Sequence, residues 1–292
     1  MSTDLSIIGG LHHGTTIGLR YRLVLPHTAL RGRSGSRLGL GAGASLDFHD
    51  YRDYHPGDDI RHLDWSVYAR SDKEVIKLFR EEVAPHLDLI LDTSRSMDLP
   101  QTPKAFAAAT ITAACATAAA QARCSRTVWL AGELLTTIPN SHEIPSTWPP
   151  PRFTSPRSPD STLLQSAPPL RPHGVRIFIS DLMWPADPTP LLCLLSNCGA
   201  ATVVIQLLTS DEESPQPQGA CRLEDAENNN YADLMVDAAA CSAYSQALIR
   251  HRDMWSSACR ACGATFVTVT AESLTDQHRL APLELNQVLE VC

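Results

Sequence analysis

The chain contains no Gly-x-x-x-x-Gly-Lys-Ser/Thr loop, so nothing in its 292 residues marks a phosphate cradle for ATP hydrolysis. Basic excess is missing too: 24 Lys and Arg stand against 32 Asp and Glu, a net charge of −8. That balance argues against general nucleic-acid binding and suits metal or protein partners better. No charged N-terminal segment runs into an apolar core and a cleavage site, so no signal peptide is expected. The nine cysteines are odd in number and scattered singly, as reduced thiols in a cytoplasm would be. Cys259 and Cys262 share a Cys-x-x-Cys spacing, but without a second pair or a His partner they read better as structural helix cysteines than as a zinc or redox site. Residues 105–122 carry no charge over nearly the length of a membrane span. Their Ala and Thr gain little in lipid, so a buried helix is expected there, capped by Thr102 with Pro103 in its first turn.

A hydrophobic content of 43% and a charged content of 19% describe a globular protein, long enough for one large or two small domains. Leu87, Leu89, Ile90 and Leu91 form an apolar run suited to a strand covered on both faces. The run stops at Asp92, and Ser94 and Ser96 follow at alternate positions. One carboxylate and two hydroxyls thus gather at a strand's carboxyl end, where open α/β sheets place ligands. Such hard oxygens favour magnesium, calcium or manganese over zinc, although ordinary turns capped by Ser and Asp carry the same spacing.

Asp92-x-Ser94-x-Ser96 resembles the metal-ion-dependent adhesion site of von Willebrand factor A domains. The resemblance implies a bound Mg2+, or else Mn2+ or Ca2+, held for a partner's carboxylate. Upstream, residues 45–70 are dense in charges and aromatics, with a turn at Pro56-Gly57. Asp58, Asp59 and Asp64 form either a catalytic acidic cluster or, more simply, a structural network neutralised by Arg52, Arg61 and Arg70. Arg52-Asp53-Tyr54, Pro56-Gly57-Asp58-Asp59, Arg61, Asp64-Trp65 and Ala69-Arg70 resemble the signature of the domain-of-unknown-function 58 family, which stands just before a von Willebrand A-like domain. The resemblance runs from about residue 40 to the end.

In chain order, residues 1–40 predict an irregular or β-rich lead-in, and 74–82 a strand leading into 87–92. Residues 127–131 and 134–138 flank Gly132-Glu133 as a two-residue hairpin at the sheet edge. Residues 139–172 predict a long loop with a short helix near 162–166. There the resemblance assigns a ligand role to Thr162, which is otherwise a plain helix cap. Residues 175–180 form the next buried strand, ending at Asp181, so that Asp92 and Asp181 can converge on one edge of a parallel sheet. The family places its last metal-loop aspartate at such an Ile-Ser-Asp. Further expectations are a helix at 191–196, a strand at 201–208, two strands about a polar turn in 219–236, a long helix at 238–262 ending at Gly263, a strand at 265–269 and a closing helix over 282–291.

The expected fold is α/β, a von Willebrand A-like (Rossmann-like) doubly wound, mostly parallel sheet with an antiparallel edge hairpin and a β-rich N-terminal extension. Residues 1–83 carry the signature region and 84–292 the von Willebrand A-like domain. The expected function is a non-enzymatic, metal-dependent protein-interaction module in the cytoplasm, with Asp92, Ser94, Ser96, Thr162 and Asp181 as ligands. The resemblance implies a MoxR-type AAA+ ATPase as partner in chaperone-like assembly of other proteins. Two alternatives stay open: an aspartate-nucleophile phosphoryl-transfer enzyme, against which Ser94 stands where a second carboxylate is needed, and a scaffold with a vestigial metal site.

Overall fold

A computed structural model describes residues 5–26, 46–58, 60–81, 85–228, 230–276 and 279–292. The part of the expected lead-in over residues 27–40, and the reading of Asp59, lie outside the described residues. The chain divides into two compact units: the residues up to Leu25 belong with Pro85–Cys292, and Pro26–Ala84 form the second. The division expected from the sequence, 1–83 and 84–292, assigned the first 25 residues to the other side.

The larger unit opens with a helix, α1 (Ile7–Gly18), and a short strand, β1 (Tyr21–Leu23), where an irregular or β-rich lead-in was expected. Ser6 caps α1 by accepting from the Gly9 amide at 3.0 Å. The smaller unit holds β2 (Leu46–Asp53), α2 (Trp65–Ser71) and β3 (Val75–Glu81), with β2 and β3 antiparallel. Its Pro56-Gly57 turn is as read from the sequence, with Gly57 at φ +108°, a region that favours glycine. Arg52 Nη2 pairs with Asp58 Oδ1 at 2.9 Å, and Asp58 Oδ2 accepts from the His55 amide at 2.9 Å. Asp64 is buried and caps α2 through the Ser66 and Val67 amides, while the Tyr51 hydroxyl donates to its other oxygen at 3.0 Å. Arg70 Nε donates to the Ser66 carbonyl. Each acid with a contact described here is thus engaged in fixing a turn or a helix start.

The rest of the larger unit runs β4 (His86–Asp92), α3 (Lys104–Gln121), β5 (Ser125–Ala131), β6 (Leu135–Thr137), α4 (Pro159–Gln165), β7 (Val175–Ser180), α5 (Thr189–Ser196), β8 (Ala201–Leu208), α6 (Ser210–Glu213), β9 (Gly219–Glu224), β10 (Tyr231–Val236), α7 (Ala238–Ala261), β11 (Thr265–Thr270), α8 (Ser273–Asp276), α9 (Ala281–Leu285) and β12 (Leu289–Val291). A six-stranded sheet has the order β11-β8-β7-β4-β5-β6, parallel except for the antiparallel edge strand β6. Both faces are covered. Leu87, Leu89, Leu91, Ile177 and Ile179 pack with α1 and α3 on one side, and Ile90, Phe178 and Val204 pack with α4, α5 and α7 on the other.

α3 is buried along nearly its whole length, because the sheet lies on one side and α1 on the other. Small side chains let both neighbours approach, so this helix shows no polar face. On α1 the matching residues are Gly10, Gly14 and Gly18; a Cβ on Gly14 would sit 2.2 Å from the Thr110 carbonyl oxygen. The α3 hydroxyls are satisfied within the helix, Thr110 donating to Phe106 O and Thr112 to Ala108 O, each at 2.8 Å.

Three local expectations need correction. Thr102 does not cap α3: its hydroxyl donates to the Leu99 carbonyl at 2.8 Å, and Pro103 holds the cap position without a side-chain bond. The β5–β6 connection has three residues, since Ala131 registers with Leu135. The closing helix is confined to α9, and β12 then pairs antiparallel with β1, joining the two ends of the unit across the sequence.

Candidate functional site

The order of strands places the site. From β4 the chain moves to β5 on one side and returns to β7 on the other, so the direction of winding reverses between β4 and β7. Open α/β sheets bind ligands in the crevice outside the carboxyl ends of such strands. Asp92 ends β4 and Asp181 directly follows β7, which brings the two sequence-predicted carboxylates to that crevice.

Local hydrogen bonds fix them. Leu91 registers with Ile179, which sets Asp92 beside Ser180, and the Ser180 hydroxyl donates to Asp92 Oδ2 at 2.6 Å. The Ser94 amide donates to Asp92 Oδ1 at 2.8 Å, folding the chain into a tight turn. Ser94 Oγ and Ser96 Oγ then lie 3.1 Å apart. The turn is braced by Ser155, whose carbonyl accepts from the Arg95 amide at 3.0 Å and whose amide donates to Thr93 O at 3.1 Å. Asp181 Oδ1 accepts from the Met183 amide at 3.1 Å.

Sequence reasoning missed the cation at the centre. Lys104, the first residue of α3, is fully buried and donates to Asp181 Oδ2 at 2.9 Å and to Glu212 Oε1 at 2.7 Å. Glu212 is held in turn by a capping box with Thr209 at the start of α6. A lone lysine heading a charge-free helical run, and the Thr-x-x-Glu text at 209–212, were the available signals.

Charge is unevenly distributed. Burial, and then the neighbouring Asp181, push the Asp92 carboxyl up to about 7, against the Ser180 and Ser94 hydrogen bonds that favour its charged form. Burial would raise Asp181 as well, but the Lys104 ammonium outweighs it and holds Asp181 below the usual carboxylate range. Lys104 itself stays charged: burial disfavours its ammonium, and Asp181 and Glu212 more than reverse this.

Thr162 lies nearby on α4, one strand further on. Its buried hydroxyl donates to the Gly132 carbonyl at 2.5 Å, and Gly132 directly follows Ala131, the register partner of Asp92. Gly132 is required by close packing, since a Cβ there would meet Thr93 Oγ1 at 2.6 Å. Beside this loop a groove of about 690 Å³ is lined by Thr93, Gly132, Ser155 and the exposed Arg152 and Arg157, among others. From a different part of the chain, the Glu227 side chain reaches the same turn and accepts from the Ser96 amide at 3.2 Å. At the opposite end of β4, His86 contacts Ser125 Oγ at 2.8 Å and Asp88 Oδ1 at 3.3 Å, a strand's length from Asp92.

The donor chemistry fits a hard divalent ion. Asp92, Ser94, Ser96 and Asp181 are oxygen donors at the ends of β4 and β7. Among the described residues no three His, Cys, Asp or Glu side chains gather so as to hold an ion, so hydroxyls and water would complete the shell. Lys104 already supplies one positive charge to Asp181.

Three buried thiols bear no such chemistry. Burial pushes Cys115 and Cys259 up to about 12 and Cys124 to about 11, so none is a reactive thiolate.

Sheet order and strand-end carboxylates together define an α/β protein with buried carboxylates and hydroxyls at its topological switch point. Residues 50–254 match the family described as Protein of unknown function DUF58, and the chain belongs to that family. Among its relatives, uncharacterized protein Rv1480 of Mycobacterium tuberculosis (strain ATCC 25618 / H37Rv) and uncharacterized protein Mb1516 of Mycobacterium bovis (strain ATCC BAA-935 / AF2122/97) are each 24% identical over 266 residues, covering 85% of this chain and 81% of the relative. Among solved structures, conserved hypothetical protein BatB from Bacteroides thetaiotaomicron aligns with a TM-score of 0.31 at 11% identity, over 66% of this chain and 96% of that one. An aerotolerance-related membrane protein from Bacteroides fragilis NCTC 9343 aligns with a TM-score of 0.34 at 12% identity, over 70% and 98%. No helix among the described residues is long and apolar enough to cross a membrane.

Proposed function

We propose that this chain is a non-enzymatic, metal-dependent protein-interaction module of von Willebrand factor A-like fold. It works with a MoxR-type AAA+ ATPase in chaperone-like assembly or maturation of other proteins. The observation that carries the reading is the pair of hydroxyls, Ser94 Oγ and Ser96 Oγ at 3.1 Å, set between two buried strand-end carboxylates at the switch point. A divalent ion there supplies a positive charge and an exchangeable position to a partner's Asp or Glu. Asp92, Ser94, Ser96, Thr162 and Asp181 are the proposed ligands, the serine and threonine hydroxyls binding the ion and the two aspartates balancing its charge. Magnesium is the first choice, with manganese or calcium taking the same donors. ATP hydrolysis belongs to the partner, since this chain lacks a phosphate-binding loop. The buried thiols suit a reducing cytoplasm.

Against a phosphoryl-transfer role stands Ser94, which occupies the position two residues after Asp92 where such an enzyme needs its second carboxylate. One feature favours a scaffold with a vestigial site, namely the Lys104 ammonium that already engages Asp181. Thermal unfolding in magnesium and in chelator separates the two. An ion at about 100 times its dissociation constant should add roughly 2.7 kcal/mol, and Ser94→Ala should lose most of that response. Equal midpoints in magnesium and chelator would leave the scaffold.

A further inference from the structure

We infer that Cys193 and Cys262 are a modification site: they close a reversible intramolecular disulfide between α5 and the end of α7 when a low-molecular-weight disulfide such as oxidised glutathione is present. The pair stands apart from the Asp92–Asp181 crevice, and its closure needs no bound ion.

The Cys-x-x-Cys text at 259–262 sets two thiols together in sequence, but the fold gives them different surroundings. Cys259, in the last turn of α7, has 0% exposure and belongs to the apolar cluster of Leu191, Leu192 and Leu195 of α5 and Trp255 of α7. Cys262 is the C-cap residue of α7, half-buried, and packs against the same cluster. Its amide donates to the Ala258 and Cys259 carbonyls, each at 3.1 Å, which fixes its backbone at the helix end. α5 brings Cys193 to this seam between the two helices. Cys193 is exposed, and its thiol shares a hydrogen bond with that of Cys262. A disulfide tolerates little separation between its two residues, and thiols already in contact meet that requirement.

Access and thiol chemistry set the order of events. Burial, and then the Cys193 thiol beside it, raise the Cys262 thiol above its ordinary value, so Cys262 is placed to finish an exchange rather than to start one. Cys193 meets the oxidant first. Its thiolate attacks one sulfur of oxidised glutathione, giving a mixed disulfide and one glutathione thiolate. The Cys262 thiolate then attacks the Cys193 sulfur and displaces the second glutathione. Two protein thiols give up two protons and two electrons, and one glutathione disulfide becomes two glutathione thiols. Cys259 takes no part: burial pushes it up to about 12 and keeps the oxidant away.

The new bond joins the two ends of the segment that carries β8, α6 and the β9–β10 ribbon. A link of this kind restrains the unfolded chain and raises the stability of the fold.

The test incubates the reduced full chain with oxidised glutathione, blocks free thiols with iodoacetamide and maps non-reduced peptides by mass spectrometry, with fragmentation to tell Cys193 from Cys198. The expected product carries a Cys193–Cys262 link and no glutathione at either residue, and it unfolds at a higher urea midpoint that dithiothreitol returns to the starting value. Cys262→Ser should stop at the glutathione adduct on Cys193, and Cys193→Ser should form no link and show no shift in midpoint. Cys198→Ser, at an exposed neighbour, should keep both the link and the shift. A Cys259–Cys262 link in wild type, a glutathione adduct on Cys193 that never resolves, or free thiols at both residues after incubation would each overturn the inference.

Discussion

Lys104 and Asp181 form an ion pair of 2.9 Å inside the protein, with the lysine wholly enclosed and the aspartate nearly so. The pair links the first turn of α3 to the end of β7, and through Glu212 to α6. A fixed ammonium therefore stands beside the crevice where a divalent ion is proposed to bind.

Removing that ammonium exposes what it balances. Lys104→Met leaves Asp181 as a buried carboxylate without its counter-charge, a change that costs about 3–5 kcal/mol in comparable pairs. Glu212 adds less, being partly solvated. The expected result is a lower urea midpoint in chelator, part of which magnesium restores by taking over the lost charge. Unchanged stability in chelator would show that the pair is not the buried support described here.

The protonation of Asp92 gives a pH signature. Its carboxyl rises from an ordinary 3.8 to about 7 in the fold, so folding takes up a proton between those values and the wild type loses stability as pH climbs through them. Asp92→Asn lacks this penalty. In chelator its advantage over wild type should grow from pH 4 to pH 7 and then level off, at no more than about 4 kcal/mol. Asp181 acts in the opposite sense: its lowered value gives stability that is present at neutral pH and lost as pH falls through its folded pKa. A pH-independent difference between wild type and Asp92→Asn would contradict the assignment.

Thr162 is a structural donor before it is anything else. Thr162→Val keeps the shape but strands the Gly132 carbonyl, which should cost about 1–3 kcal/mol in chelator. Thr162→Ser should recover most of that loss. If the hydroxyl also serves the ion, Val should weaken Mn2+ binding and Ser should not, as a titration followed by electron paramagnetic resonance would show.

The contact between α1 and α3 depends on glycine. In Gly14→Ala the new Cβ lies 2.2 Å from the Thr110 carbonyl oxygen and 2.9 Å from Ala113 Cβ, so the helices must part. Overpacking of this kind costs about 1–3 kcal/mol, and denaturant unfolding should report it. A variant as stable as wild type would mean that α1 packs elsewhere.

Much of this arrangement was legible from local text. β4, β7 and β8 are buried on both faces and so read as continuous apolar runs, and their ends at Asp92 and Ser180-Asp181 pointed to the crevice. The Arg52–Asp58 pairing was visible because the two residues lie six positions apart on one turn. α1 was hidden because Gly10, Gly14 and Gly18 stand beside Leu11 and Ile17 in its buried stripe, which thins the apolar period and lowers helix propensity. β12 was taken for helix because its partner β1 lies at the far end of the sequence. Lys104 and Glu227 escaped for the same reason: Asp181 is 77 positions from Lys104, and Ser96 is 131 from Glu227. Side chains that meet across such distances leave no spacing to read.

The central claim is that a divalent ion on Ser94 and Ser96 mediates docking to the proposed ATPase. Calorimetric titration of the full chain against a MoxR-type AAA+ ATPase of the same cell, in magnesium and again in chelator, measures it directly. The account predicts association that chelator weakens at least about tenfold, a loss of roughly 1.4 kcal/mol, and that Ser94→Ala weakens in magnesium without lowering the unfolding midpoint in chelator. The same affinity with and without the ion, or no association in magnesium at all, would contradict it.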